Sequence, residues 1–128
     1  MVSARSKARQ GNVYAQWRLG DMYERGTGVL EDYKEAMKWY RLAAEQSYAQ
    51  AQISLGGMHE SGEGVRKNLV LAYMWYNIAV ANTSDLLPKY RGLPTEGRNS
   101  VEAHMTAKQV AEAQELAGKC TAKKFKGC

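Results

Sequence analysis

The chain is poor in the residues that carry most protein chemistry. Its 128 residues include two cysteines, two histidines, two prolines and one phenylalanine. Both cysteines, Cys120 and Cys128, lie at the C-terminus with no His or Cys cluster near them, so no metal site and no cofactor is expected. From the residues alone, a short loop-closing disulfide and two free thiols on a frayed tail both remain open. His59 and His104 have no Ser or Cys at the spacing of a nucleophile and its base. No apolar run reaches the roughly 18 residues of a membrane span, and the longest candidate, around Ala72–Ala81, is broken by Asn77. The opening MVSARSKARQGN has basic residues but no apolar segment and no small-residue cleavage site, so no secretory signal is expected in it. What remains, 45% apolar and 24% charged residues with 12 glycines, excludes a disordered or collagen-like chain. A chain of this length makes one domain or one short stack of repeats.

The formal charge of +5 suggests nucleic acid until the charges are located. Arg5, Lys7 and Arg9 stand in an acid-free N-terminal stretch, and Lys119, Lys123, Lys124 and Lys126 in an acid-free C-terminal one. Residues 13–118 hold 11 Lys and Arg against 13 Asp and Glu. A phosphate-binding face needs cations clustered on the fold. Cations gathered at the ends read as solvated tails, and no nucleic-acid partner is expected.

Self-similarity organises the rest. A shift of 36 residues lays AQWRLGDMYERGTGV (Ala15–Val29) on AQISLGGMHESGEGV (Ala51–Val65). Ala36, Trp39, Tyr40 and Ala43 then fall on Ala72, Trp75, Tyr76 and Ala79, and 13 of the 32 positions from Ala15 to Gln46 are identical. Arg5, Ala8 and Gln10 recur as Arg41, Ala44 and Gln46, so the chain begins in the last turns of a preceding unit's second helix. Each unit reads helix, glycine loop, helix. Ala15, Leu19 and Met22 make one apolar face, with Leu55 the counterpart of Leu19. Gly26 and Gly28, like Gly62 and Gly64, end the first helix because glycine takes left-handed dihedrals without Cβ strain. Val29 is expected to pack inward. Asp32 with Glu35 forms a capping box for the second helix, Ser47 with Gln50 caps the next, and Asn68 caps its partner. Gly20 and Gly56 sit inside helices, where glycine costs about 0.5–1 kcal/mol. A penalty taken twice at one repeat position points to close approach under Trp39 or Tyr40 and their counterparts.

Helices are therefore expected near 12–25, 32–46, 48–61 and 68–82, with no strand. Residues 1–10 are the end of a preceding repeat helix, 11–46 repeat 1 and 47–82 repeat 2. Residues 83–105 hold both prolines and form a connector with a short helix that Thr95 caps and that ends at His104. Residues 106–128 form a terminal helix, near 106–119 and opened by a Thr106–Gln109 capping box, with its tail. Units of this size bury their apolar faces only by stacking, so the fold class is all-α, a right-handed αα superhelix.

AQxxLGxMYxxGxGV followed by EAxxWYxxAAEQ, at this period, resembles the Sel-one-like repeat (SLR) family, a relative of the tetratricopeptide repeat. The resemblance covers about Ala4–Asn82, and MTAKQVAEAQELAGKC is similar to the closing helix of many bacterial members. It implies a protein- or peptide-binding scaffold, an adaptor rather than an enzyme, that binds on the concave face built from the first helix of each pair. C-x7-C is similar to the bridge of the cysteine-rich branch, which implies a Cys120–Cys128 disulfide with Phe125 folded back near Leu116 or Ala117. A bridge implies a periplasmic or secreted protein; a chain complete as given implies a cytoplasmic one. Some cysteine-rich relatives bind or hydrolyse β-lactams, but no S-x-x-K arrangement or other nucleophile constellation appears here. A third reading is a self-assembling structural piece that stacks through its N-terminal repeat edge into a homo-oligomer.

The remaining candidates weigh toward structure. The G-x-G-V pairs follow a helix rather than a strand and lack the third glycine and the Lys-Ser/Thr of a phosphate loop. His59 aligns with Tyr23 and is expected to fill its place at a packing surface, and His104 reads as a helix C-terminal residue. Trp39, Tyr40, Trp75 and Tyr76 recur in phase with alanine and glycine, as core. Asp21, Glu24 and Glu60 read as solvated helix positions. Trp17 differs, because its counterpart is Ile53 and it shares a stripe with Asp21 and Glu24. Two readings stand for it, an exposed partner anchor or partial burial under the preceding helix. Trp17, Asp21, Glu24, Ile53 and Glu60 are the candidate partner-binding residues.

Overall fold

The computed structural model describes residues 4–128. Residues 1–3, part of the stretch read as the end of a preceding repeat helix, lie outside the described residues. Seven helices and no strand appear among the rest: α1 (Ala4–Arg9), α2 (Val13–Arg25), α3 (Tyr33–Ala44), α4 (Ala49–Ser61), α5 (Leu69–Val80), α6 (Leu93–Glu102) and α7 (Ala107–Ala122). Two 3₁₀ turns, Thr83–Asp85 and Pro88–Tyr90, fill the connector before α6. Helices pack with their chain neighbours from α1 to α6, and α7 returns to lie against α5.

Local chemistry sets the boundaries. Gly26 and Gly62 end α2 and α4 in the left-handed region, at φ +68° and +80°, and their N–H groups donate to Met22 O and Met58 O. The Asp32 carboxylate accepts from Lys34 N and Glu35 N, both at 3.1 Å. Only this half of the expected capping box forms, because the Asp32 N–H donates to Tyr23 O at 2.9 Å, tying the loop back to α2. Asn68 repeats both bonds, accepting from Leu71 N and donating its N–H to His59 O. At α7 the Thr106–Gln109 box is reciprocal.

Two expected caps are corrected. Ser47 does not cap α4: it takes φ +66° to turn the chain, leaving Tyr48 at the N-cap with no side-chain cap bond. Thr95 lies inside α6, which opens at Leu93 and Pro94, where the proline's missing N–H costs nothing in the first turn. That helix also stops at Glu102, so His104 lies in the turn beyond it, its N–H donating to Val101 O at 3.0 Å.

The core runs along the stack. Ala36, Tyr40, Ala43, Ala44, Leu55, Met58, Trp75 and Ile78 share one buried cluster with Ala117, Cys120 and Phe125 of the C-terminal region. Gly20 and Gly56 are where a tyrosine ring of the second helix lies against the first helix of each pair. A Cβ on Gly20 would stand 2.6 Å from the Tyr40 ring, and one on Gly56 2.7 Å from the Tyr76 ring. Gly97 of α6 meets the same Tyr76 ring, also at 2.7 Å, so that ring lies between two glycines. Val29 is half-buried, whereas Leu30 beside it is 91% exposed.

Candidate interaction surface

The first helices α2 and α4 carry the five candidate partner-binding residues, and the structure does not leave them all solvated. Glu24 and Glu60 are half-buried and accept hydrogen bonds from Tyr40 Oη at 2.6 Å and Tyr76 Oη at 2.7 Å. Their expected place on a fully solvated face is corrected: the tyrosine lying under each helix glycine projects its hydroxyl onto the carboxylate. Burial outweighs the Tyr40 hydrogen bond at Glu24 and holds its carboxyl above the ordinary glutamate range. Burial and the facing carboxylates push both phenols far up, so each tyrosine remains a donor. Asp21 is half-buried and paired with Arg25 Nε at 2.8 Å, one helical turn away.

Trp17 is half-buried, and its neighbour is the following first helix rather than the preceding helix. Its indole Nε1–H donates to Ser54 Oγ on α4 at 3.1 Å, and its ring packs on the main core cluster. Tyr14, 52% exposed, tilts against the Trp17 ring with centroids 6.1 Å apart. Ile53, at the Trp17 position of the second repeat, packs on the cluster shared by α5, α6 and α7. Trp17 and Ile53 thus belong to successive repeats of one helix row, with Glu24 and Glu60 a turn or two further along each helix.

Three features escaped the sequence reading. The first is a polar ladder between units. Gln52, fully buried, donates to Ala44 O at 3.2 Å and accepts from Asn82 Nδ2 at 3.2 Å. Gln16 donates likewise to Ala8 O at 3.1 Å and accepts from Gln46 Nε2 at 2.8 Å. The signal was present, since Gln16 and Gln52 are identical at the repeat offset and each follows an alanine. The second is His59, 3% exposed, neither of whose ring nitrogens has a protein hydrogen-bond partner. Burial, with the nearby Arg41 cation, lowers its pKa. Tyr23, its counterpart, instead accepts a hydrogen bond from Arg5. The third is the tight seat of Gly64, whose Cβ would meet Tyr33 of the first repeat at 2.6 Å.

At the C-terminus the structure joins Cys120 and Cys128, and Phe125 is buried in the cluster that contains Ala117. Three consecutive features turn the chain back: Lys124 and Phe125 take positive φ, and Phe125 N–H donates to Cys120 O at 2.9 Å. Among the described residues no helix is long and apolar enough to cross a membrane.

Antiparallel helix pairs recurring at a fixed period, each pair joined by a glycine turn, define an αα-repeat solenoid of the tetratricopeptide-like class. The Sel1 repeat model matches residues 13–48 and 49–84, more than half of the sequence, and the chain belongs to the Sel1 repeat family. Two solved structures share the architecture. One is a protective antigen of uropathogenic Escherichia coli displaying an SLR fold, 36% identical over 95% of this chain with a TM-score of 0.83. This chain spans 25% of that protein's length. The other is a Sel1 repeat protein from Oxalobacter formigenes, 29% identical, covering 88% of this chain and 95% of its own, with a TM-score of 0.58. No match was found among curated proteins.

Proposed function

We infer that this chain is a protein- or peptide-binding scaffold that receives its partner along the concave face formed by α2 and α4. Sel1 repeats generally serve as protein-interaction scaffolds, which supports the class. The observation that carries the face is the repeated Tyr–Glu pair: Tyr40–Glu24 and Tyr76–Glu60 present two carboxylates in the same orientation, one repeat apart. Each uses one oxygen to accept from tyrosine, which holds the carboxylate in place and leaves its other lone pairs for a partner's donors. Trp17 and Tyr14 supply adjoining aromatic surface of the kind that dominates binding energy at interfaces. Asp21 and Ile53 complete the strip.

The scaffold works by shape and hydrogen bonding, without a catalytic step. Tyr40 and Tyr76 are held protonated, and Glu24 and Glu60 serve as fixed acceptors rather than as an acid–base pair. A pull-down from the source cell tests this reading. The native chain should enrich a partner that Trp17→Ala and the Glu24→Gln, Glu60→Gln double variant lose, while both variants keep the native circular dichroism. Retention of the partner by both variants would move the interface elsewhere. Turnover of nitrocefin by the purified chain would overturn the non-catalytic reading.

A further inference from the structure

A second open surface lies on α3 and reaches the Gly64–Val65 turn, apart from the candidate partner-binding residues. Lys34, Lys38 and Arg41 border a groove of about 570 Å³ whose floor is Met37, Leu42 and Val65. No carboxylate lines it. Leu42 is 38% exposed. Two acids adjoin the lining in sequence: Glu35 stands 4.0 Å from Lys38 with both side chains exposed, a contact that does little to neutralise the lysine, and Glu63, beside Gly64, accepts from Ser61 Oγ at 3.0 Å.

The repeat shows what such a surface does. At the repeat offset, Lys34, Met37 and Lys38 of α3 correspond to Val70, Tyr73 and Met74 of α5. In α5 this strip is covered by the chain's own α7. Val70 and Tyr73 pack in one cluster with Val110 and Ala113, Gln114 donates to Tyr73 Oη, and Met74 faces Leu116 and Cys120. The strip is thus apolar and covered in the second repeat, whereas in the first its two lysines are exposed beside a buried Met37.

We propose that the α3 groove is a second docking site, for an acidic amphipathic helical segment of a partner protein. The covering helix in the second repeat supplies the shape of the occupant, and the charge supplies its chemistry. An apolar side chain would settle over Met37, Leu42 and Val65, and carboxylates flanking it would meet Lys34, Lys38 and Arg41. This site is independent of the α2–α4 face, and either can fail without the other.

The test is fluorescence anisotropy with the full chain and a labelled amphipathic peptide that carries a leucine stripe flanked by glutamates. The control peptide has every glutamate replaced by lysine. The acidic peptide should bind and the basic one should not. Lys34→Glu with Lys38→Glu should weaken binding about tenfold, the sum of two partly exposed charge contacts. Leu42→Ser should weaken it comparably, and Trp17→Ala should leave it unchanged. Lys34, Lys38 and Leu42 are exposed, so their variants should unfold near the native midpoint, whereas Trp17→Ala, which removes a ring packed on the core, is compared at a temperature where it remains folded. Equal binding of both peptides, or indifference to the lysine reversals, would overturn the proposal. So would loss of binding on Trp17→Ala, which would place the peptide on the other face. Binding of phosphatidylserine vesicles that the reversals abolish, with no peptide binding, would assign the groove to a lipid surface instead. Concentration-dependent dimerisation that they abolish would assign it to a second copy of this chain.

Discussion

Replacing the glycines beneath the tyrosines tests the packing logic of the repeat. Gly20→Ala and Gly56→Ala each add one methyl group inside a helix, which on intrinsic propensity alone would stabilise by about 0.5–1 kcal/mol. The structure reverses the sign. The new Cβ would stand 2.6 Å from the Tyr40 ring in one case and 2.7 Å from the Tyr76 ring in the other. Neither ring is a free side-chain end, since each is buried and its hydroxyl is bonded to a carboxylate on the same helix as the glycine. Overpacking of this kind costs about 1–3 kcal/mol. Net of propensity, up to about 2.5 kcal/mol of destabilisation is expected, or a fall of up to roughly 9 °C in thermal midpoint. Gly56→Ala should be the worse of the two, because Gly97 already bounds the Tyr76 ring from α6 and blocks its retreat. Gly118 provides the control: it lies inside α7 with nothing within 4 Å of its Cβ position, so Gly118→Ala should stabilise by the full propensity term. Thermal and urea unfolding of the three variants decides. A Gly56→Ala protein as stable as the native chain, or the same sign for Gly56→Ala and Gly118→Ala, would refute the reasoning.

Further consequences follow from single groups. Reducing the Cys120–Cys128 bridge, or replacing both cysteines by alanine, should cost about 2–3 kcal/mol by the chain-entropy estimate for so short a loop, read as a lower unfolding midpoint in dithiothreitol. His59 has a lowered pKa in the fold, so its contribution is complete above the unfolded value of about 6.5 and is lost as pH falls below it. Unfolding curves between neutral and mildly acid pH should show this loss, at most about 1.4 kcal/mol per pH unit, and His59→Tyr, which restores the residue found at position 23, should remove it. Gln52→Leu should destabilise by about 0.5–1.5 kcal/mol for each of the two hydrogen bonds it removes, since the Ala44 carbonyl keeps its Ser47 N–H donor and Asn82 its Ile78 acceptor, and urea denaturation at neutral pH measures it.

Much of the architecture was legible because a repeat is written twice. The identities at offset 36 fix helix pairing, the glycine turns and the glycine–tyrosine approach, since each needs one residue type at one place. The errors came where the chain departs from its own pattern. Ser47 was read as a cap from its spacing to Gln50, but the turn between α3 and α4 requires a left-handed residue, and that geometry belongs to the junction rather than to either helix. Glu24 and Glu60 were read as solvated because their positions on their own helices say nothing of the tyrosine arriving from the partner helix. That pairing depends on the helix crossing, which periodicity does not encode. Even so, a glutamate and a tyrosine sixteen residues apart recur together in both repeats, and this co-recurrence was the available signal.

Agreement and disagreement at the repeat offset therefore carry different information. Where the two units agree, at Leu19 and Leu55, Gln16 and Gln52, Tyr40 and Tyr76, the residue does the same structural work twice: core, ladder, and glycine-seated ring. A residue that serves only stacking has no reason to differ between units whose neighbours are alike. Where they differ, the neighbours differ too. Lys34 and Lys38 face an open groove where Val70 and Met74 lie against α7 and its tail. Tyr23 meets Arg5 of α1, whereas His59 is enclosed near Arg41. Trp17 reaches across to Ser54, while Ile53 packs toward α6 and α7. Each of these mismatches tracks a difference in the neighbouring side chains or a surface left open among the described residues. The second kind is where we propose that a partner adds contacts, at Trp17 and at the α3 lysines.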